Sequence, residues 1–312
     1  MTSSIHTIDL RYLGQERAIA AYLIESNTGP ILVETGPANT VDTLTTALAA
    51  LGVAPADIRH ALVTHIHFDH AGAVGWLARH GTHIYVHEFG APHLIDPSKL
   101  VDSARRIYGA KMDYEWGIMT AVPADQVRPV RDGDVLEFGD VTLTAIETPG
   151  HARHHHAYRM DTDDGAVAFT GDAAATYMSE TSFINLPMPP PEFDLDAWLA
   201  TLDRLRAANL ARIYPTHFGA CDHPAAHFDA VTEELHRNVA CIERLVAEGL
   251  SEADIVAAYG EWMDELADAA DVPLARRPFY VSRNIKQMNV MGVLRYKRKR
   301  AERAHASRLS VE

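Results

Sequence analysis

The chain has 312 residues, of which 47% are hydrophobic and 22% charged, and a formal net charge of −14. This balance is typical of a globular protein, and the acidic charge argues against nucleic acid as the main partner. No apolar stretch reaches the roughly 18 residues of a membrane span, and no secretory signal pattern is present. Two cysteines are too few for a disulfide framework, so we expect a cytoplasmic protein without a membrane partner.

The first half of the chain predicts strands with intervening turns and helices. Apolar and polar residues alternate in IHTIDLRYLG and AIAAYLIESNTGPILVETG, which indicates strands joined by a turn at NTG. A helix is predicted next, capped by Asn39 and ended by Gly52. IRHALVTHI predicts a buried strand, AGAVGWLARHG a helix and HIYVHE a short strand. Residues 91–126 look irregular, which suggests an insertion that covers something.

The second half predicts more strands and then helices. VRPVRDGDVLEFGDVTLTAIETPGH contains short strands, and AYRMDTDDGAVAFTGDAA predicts a hairpin. PMPPPEF is a rigid loop, followed by a helix and a strand that ends near His217. After Pro224 the pattern is helical, with Ser251 and Asp254 at capping-box spacing. We therefore predict an α/β catalytic domain over residues 1–223 and a helical extension, packed on it, over residues 224–312.

The extension ends in a basic tail. RYKRKRAERAHASR, from Arg295 to Arg308, contains seven Lys or Arg residues and one acidic residue. A short basic run is weak evidence for a nucleic-acid patch, so we interpret it as a helix end or as a counter-charge for the acidic body. The apolar residues Val290, Met291, Val293 and Leu294 favour burial against the body or against a second copy in a homodimer.

Three histidines and an aspartate lie within six positions after the apolar strand, in VTHIHFDHAG. They are His65, His67, Asp69 and His70. Imidazole and carboxylate are ligands for zinc and for iron or manganese, and four such groups are easily divided between two ions. Three further candidates each stand at a strand end, namely His151 in TPGH, Asp172 in FTGD and His217 in YPTH.

In this order, the motifs THIHFDHAG, TPGH, FTGD and YPTH resemble those of the metallo-β-lactamase-fold hydrolase superfamily, over roughly residues 6 to 220. The resemblance implies an αββα sandwich with a two-metal site at one edge of the paired sheets. It implies that one metal is held by His65, His67 and His151, that the second is held by Asp69, His70 and His217, and that Asp172 bridges them. A histidine four positions after the TPGH histidine is frequent in the family, which gives His155 a role in orienting a ligand. LVETG is similar to an early motif of the family, with Glu34 where Asp is usual.

The chemistry implied is hydrolysis of a small-molecule substrate. Two divalent metal ions, with Zn²⁺ expected and Fe or Mn as alternatives, would activate a shared hydroxide for attack on an ester or lactone carbonyl. Asp69 would orient the hydroxide or carry its proton. FTGDAAATY is similar to lactone hydrolases, in which a nearby Tyr binds the substrate carbonyl, and Tyr177 is the candidate here. Thioester hydrolysis of the glyoxalase II type and iron-dependent redox chemistry on the same ligands remain alternatives, as does a non-catalytic binding protein.

The pocket is expected to be lined from the two irregular segments, residues 91–123 and 185–193. Aromatic residues and methionines in or beside these segments are candidate apolar walls, namely Tyr108, Tyr114, Trp116, Met119, Phe183 and Met188.

Overall fold

The structure, a computed structural model, describes residues 4 to 309, with side chains described through residue 303. Its first sheet has the order β1-β2-β3-β4-β5-β6. The strands are β1 (Ile5–Asp9), β2 (Ala20–Ile24), β3 (Ile31–Val33), β4 (His60–Leu62), β5 (His83–His87) and β6 (Val127–Val130). Strands β3 to β6 run parallel, and β1 to β3 pair antiparallel.

The second sheet has the order β11-β10-β9-β8-β7. Its strands are β7 (Val135–Phe138), β8 (Val141–Glu147), β9 (His156–Thr162), β10 (Gly165–Phe169) and β11 (Arg212–Tyr214). Only β10 and β11 pair in parallel. Because β8, β10 and β11 point the same way, their carboxyl ends meet at one edge of this sheet.

Helices cover the outer face of each sheet. On the first sheet lie α1 (Val41–Ala50), α2 (Phe68–Ala71), α3 (Val74–Ala78), α4 (Ala91–Ile95), α5 (Ser98–Tyr108) and α6 (Met112–Trp116). On the second lie α7 (Leu195–Ala207), α8 (Pro224–Ala247), α9 (Glu252–Ala269) and α11 (Arg283–Leu309), with the short α10 (Arg277–Tyr280) before α11.

Alternation along the strands produces this αββα sandwich. In β2, Tyr22 and Ile24 belong to the core between the sheets, together with Phe169. The intervening Leu23 points to the other face and packs with Leu44 of α1 in the outer core. A strand that is buried on both faces needs a helical layer outside it, which explains its continuous apolar sequence. The predicted αββα class with C-terminal helices is confirmed.

The extension shares a core with the second sheet. Val239 of α8, Tyr259 of α9 and Val293 of α11 belong to the same apolar cluster as Trp198 of α7. Burial of Val290 and Val293 agrees with the prediction, but Met291 is 37% exposed. Among the described side chains of the basic tail, Lys297 pairs with Glu243, Arg300 with Asp196 and Arg303 with Asp194. These pairs support the counter-charge interpretation, and the tail beyond residue 303 lies outside the described side chains.

Three local predictions were wrong. Asn39 does not cap α1, because its side-chain amide donates to the carbonyl oxygens of Tyr114 and Glu115. Within the helix predicted through residues 71–81, the α-helical part is the last residue of α2 and the five residues of α3. Residues 91–116 are largely helical, as α4 to α6, rather than irregular. Within residues 4 to 309, no helix combines the length and the apolar character that crossing a membrane requires.

Candidate metal centre

Three histidine rings converge on one point at the edge of the sandwich. His65 and His67 follow β4, and His151 lies in the turn after β8. His67 Nδ1 lies 2.9 Å from both His65 Nε2 and His151 Nε2, and the latter two are 3.2 Å apart. His151 Nδ1 donates to the carbonyl of Pro187 at 2.8 Å, which leaves its Nε2 as an acceptor. A neutral imidazole has one protonated nitrogen and one with a free lone pair. Ring nitrogens that lie this close together direct several lone pairs at one point, and a cation at that point would bind them.

A second cluster lies beside the first. Asp69 and His70 are on α2, and His217 follows β11. Asp69 Oδ2 lies 3.3 Å from His217 Nε2 and 3.6 Å from His70 Nε2. His217 Nδ1 donates to the carbonyl of Ala18 at 2.8 Å, which turns its Nε2 toward Asp69.

Asp172 lies between the two clusters, in the turn after β10. Its Oδ2 is 3.2 Å from His151 Nε2 in the first cluster. Its Oδ1 is 3.3 Å from His70 Nε2 and 3.4 Å from His217 Nε2 in the second. One carboxylate therefore faces both clusters, in the arrangement of a bridging ligand. All seven residues predicted as metal ligands are brought together here.

The protonation states differ between the clusters. Burial and the neighbouring His151 and His154 lower the pKa of His67 to about 3, and burial lowers the pKa of His151 as well. Burial alone would lower the pKa of His70, but the carboxylates of Asp69, Asp172 and Glu34 outweigh it and raise that pKa. The pKa of Asp69 falls to about 2, because His70 and His217 outweigh its burial. The first cluster is thus neutral, whereas the second combines carboxylates with two histidines, His70 and His217, whose pKa values those carboxylates raise.

The donor atoms fit divalent cations. His70 Nε2 and Asp172 Oδ1 are buried, and neither has a hydrogen-bond partner among the described residues. An unpartnered buried carboxylate oxygen is costly, and a cation between the two atoms would satisfy both. Imidazole nitrogens and carboxylate oxygens suit zinc, iron and manganese alike.

Glu34 and His155 form hydrogen bonds to the candidate ligands His70 and Asp172. Glu34 is buried in a left-handed conformation after β3, and its Oε1 accepts from His70 Nδ1 at 3.0 Å, from Thr64 Oγ1 at 2.6 Å and from Thr216 Oγ1 at 3.0 Å. His155 accepts from the backbone N–H of Asp172 at 3.2 Å, and its other nitrogen bonds Thr148 Oγ1 at 2.7 Å. His155 thus contacts the backbone of the candidate ligand Asp172, and Glu34, for which the sequence indicated no partner, contacts the candidate ligand His70.

Tyr177 is not placed at the centre. Its ring packs edge-on against His227 on the side of α8, with ring centroids 5.3 Å apart, and it does not line the cavity in front of the metal centre. The hypothesis that it binds a substrate carbonyl has no support in this placement. Of the candidate walls, Tyr108 and Trp116 line that cavity, whereas Tyr114, Met119, Phe183 and Met188 do not.

The cavity has a volume of about 490 Å³ and reaches His67, Asp69, His151, Asp172 and His217. Its lining includes Asn185 and Glu192 from the predicted segment 185–193, and also Tyr12, His154 and Phe279, which the sequence did not indicate. His154 Nε2 lies 3.0 Å from Glu192 Oε2, beside His67. The HHH run after TPGH was the only sequence signal for His154, and it did not separate His154 from its neighbours.

Comparison with known proteins agrees with this geometry. The chain is 26% identical to the lactamase-like protein notP of Aspergillus sp. (strain MF297-2), over 67% of this chain and 54% of that protein. It is 24% identical to the atrochrysone carboxyl ACP thioesterase dmxR1 of Cryptosporiopsis sp. (strain 8999), over 67% of this chain and 53% of that protein. The chain thus spans about half the length of these curated relatives.

A solved structure with the same fold is the metallo-beta-lactamase family protein TTHA1429 from Thermus thermophilus. Its TM-score is 0.68 at 21% identity, covering 95% of this chain and 94% of that one. The family model described as the metallo-beta-lactamase superfamily matches residues 14–217, about two thirds of the chain and all seven candidate ligands. The chain therefore belongs to the metallo-β-lactamase superfamily.

Proposed function

We propose that this protein is a metal-dependent hydrolase that cleaves an ester or lactone of a small-molecule substrate. The observation that carries the proposal is the pair of ligand clusters that share Asp172 and open on one cavity. His65, His67 and His151 would hold one divalent cation, and Asp69, His70 and His217 the other. Bound cations of this kind supply Lewis acidity to a water molecule and to a carbonyl oxygen. Zinc is the expected ion, with iron or manganese as alternatives.

The protein's own groups have separate tasks. Asp69 opens on the cavity, and its low pKa keeps it a carboxylate that accepts a hydrogen bond from the attacking water. In the overall reaction the water oxygen bonds to the acyl carbon, the bond from that carbon to the leaving oxygen breaks, and the leaving group takes a proton. Glu34 and His155 keep His70 and Asp172 oriented throughout, as outer hydrogen-bond partners of metal ligands do.

The test combines metal analysis with a substrate panel. We expect about two zinc ions per chain by mass spectrometry and faster hydrolysis of lactones or esters than of a phosphodiester, because the chain is acidic. Asp172→Ala should lower kcat/KM roughly a hundredfold or more and reduce the metal content. Asp163→Ala, in the exposed turn between β9 and β10, is the matched control and should change neither. Full activity in the Asp172 variant would refute the proposal.

Thioester hydrolysis is the second candidate, because one relative is named an ACP thioesterase. The same attack on a thioester releases a thiol instead of an alcohol. A thioester that matches the acyl group of the best ester belongs in the panel, and a clear preference for it would change the substrate class without changing the site. Iron in the protein together with no hydrolysis at all would instead favour oxidoreductase chemistry on these ligands.

A further inference from the structure

The cavity has an aromatic wall that is continuous with the metal centre. Tyr12 stacks on Trp116 with ring centroids 5.4 Å apart, and Tyr108 meets Trp116 edge-on at 5.4 Å. Phe279 packs against Tyr12 at 5.6 Å and against the ligand His217 at 5.5 Å. An apolar group that lies along this wall therefore has its end beside the metal ligands.

The cavity's outer part is apolar and open. Ile107 of α5 lines it and is 46% exposed, and Leu13 lines it and is 43% exposed. Ile285 and Met288 of α11 also line the cavity and are half-buried. Covering apolar side chains that face water in a concave site with the apolar portion of a ligand removes apolar surface from water, which favours binding.

The charges in the cavity argue against an anionic ligand tail. Among its lining residues as described, Lys99 is the only Lys or Arg, while Glu115 and Glu192, which are not candidate metal ligands, add negative charge. A phosphate or carboxylate on the tail would need a cluster of basic donors, which this lining does not provide. A neutral apolar chain fits the wall better.

We propose that the substrate carries a neutral, extended apolar acyl chain that lies between α5 and the segment of residues 278–288. Ile107 and Met288 then determine the preference for chain length. The segment of residues 278–288 lies beyond the region matched by the family model, so the C-terminal extension takes part in substrate selection. This inference rests on the proposed hydrolase function and names its substrate class.

The first measurement is kcat/KM of the metal-loaded protein on acetyl, butanoyl, octanoyl and dodecanoyl esters of one alcohol. We expect an increase of up to about fourfold per added CH₂ while the chain remains inside the cavity. Ile107→Ala and Met288→Ala should each lower kcat/KM roughly tenfold more for the octanoyl ester than for the acetyl ester, because the short chain covers less of the wall.

Each variant has a matched control. Ile118→Ala removes an isoleucine that is 73% exposed and does not line the cavity. Met291→Ala removes a methionine of the same helix as Met288, again outside the lining. Because Ile107 and Met288 are not fully buried, their truncation should leave the fold intact, which circular dichroism checks. Equal losses in a variant and its control would contradict the proposal.

A binding experiment separates this inference from the hydrolase proposal. Methyl ketones of matching chain length resemble the esters but cannot be hydrolysed, and calorimetry measures their affinity for metal-free protein. Affinity that rises with chain length in the wild type and falls in Ile107→Ala and Met288→Ala supports the apolar chain site even if no ester is cleaved. If neither kcat/KM for the esters nor the affinity for the ketones varies with chain length, the inference is overturned while the proposed hydrolase function stands.

Discussion

At the scale of single residues, Glu34 shows how the chain compensates for a departure from its family. The glutamate stands where aspartate is usual, yet its Oε1 reaches His70, Thr64 and Thr216 from one buried position. A left-handed backbone at Glu34 is uncommon for a residue with a side chain and is kept only where the surroundings favour it. Here three hydrogen bonds to one oxygen fix the side chain, and through it the orientation of the His70 ring.

We predict that Glu34→Gln weakens metal binding at the cluster of Asp69, His70 and His217 by roughly tenfold to a hundredfold. The amide removes the negative charge that faces His70. If its oxygen stays toward His70, its NH₂ group takes the place of Oε2, which in the wild type lies 3.4 Å from the backbone N of Thr64, and two N–H donors then face each other. Competition with a chromophoric chelator measures the affinity of each site. Glu25→Gln, at an exposed glutamate near β2, serves as the control. Unchanged affinity at the cluster of Asp69, His70 and His217 in the Glu34 variant would mean that Glu34 has no part in holding His70.

The ligands were predictable from the sequence because each lies next to a strand end in a short motif. Tyr12 and Phe279 were not, since they lie far from the motifs and meet at the cavity only through the fold. Tyr177 shows the opposite error. Its distance from Asp172 along the chain suggested a shared site, but the backbone pairs with His217 and the ring turns toward α8. Sequence proximity fixes the position of a backbone and leaves the direction of its side chain open.

At the scale of elements, the layers and strands followed from alternation, while the insertion did not. Helices α4 to α6 have 5, 11 and 5 residues. A helix of one or two turns is too short to show a helical period, and most of its stability comes from tertiary packing. Helix α5 is long enough to show a helical period, and its apolar residues Leu100, Val101, Ala104, Ile107 and Tyr108 do recur at that spacing, so the sequence prediction overlooked a signal that was present.

The turn before His151 depends on close contact between Gly150, in the loop after β8, and α7. Gly150 has φ +136°, and a Cβ there would lie 2.4 Å from Trp198 Cα and 2.7 Å from its N. Backbone atoms of a helix cannot move aside cheaply, and the Gly150 carbonyl also accepts the Asp194 N–H at 2.8 Å. The glycine is therefore what allows α7 to press on the loop that carries a metal ligand.

We predict that Gly150→Ala lowers the free energy of unfolding by about 3 kcal/mol or more and reduces metal content, because the loop must move away from α7. Gly52→Ala is the control. It also has positive φ, at +74°, but its Cβ would meet nothing within 4 Å, so it should cost only about 1 kcal/mol of backbone strain. Urea unfolding of both variants gives the difference. Equal costs would show that the contact with Trp198 is not the cause.

At the scale of the whole molecule, three apolar cores stack in the order expected for two helix layers around two sheets. The alternation along the strands predicts this order. It does not predict that the extension shares the outer core of the second sheet and reaches the cavity, because that depends on how α8, α9 and α11 pack together. The acidic body and the basic tail are coupled in the same way, through ion pairs between distant segments.

Buried histidines make the stability of the fold sensitive to acid. His156 lies fully buried at the start of β9, stacked on His87 with ring centroids 4.4 Å apart, and its two ring nitrogens have no hydrogen-bond partner among the described residues. Burial and the neighbouring His87 lower the pKa of His156 from 6.5 to about 3. The unfolded chain therefore binds a proton at His156 at a higher pH than the folded chain does, and stability falls as the pH drops from about 6.5 toward about 3.

Replacing His156 by phenylalanine should remove this contribution, because an aromatic ring of similar shape fills the site and loses no hydrogen bond. Between pH 7 and pH 5, protonation of this histidine in the unfolded chain lowers the free energy of unfolding of the wild type by about 2 kcal/mol. The free energy of unfolding of His156→Phe should therefore fall by about 2 kcal/mol less over the same interval. Urea unfolding of chelator-treated protein at both values measures it without interference from metal release. His236→Phe, at an exposed position of α8, should keep the wild-type difference. If His156→Phe also keeps the wild-type difference between pH 7 and pH 5, then the acid sensitivity arises from the histidines of the metal centre. His156 would then be protonated equally in the folded and unfolded states.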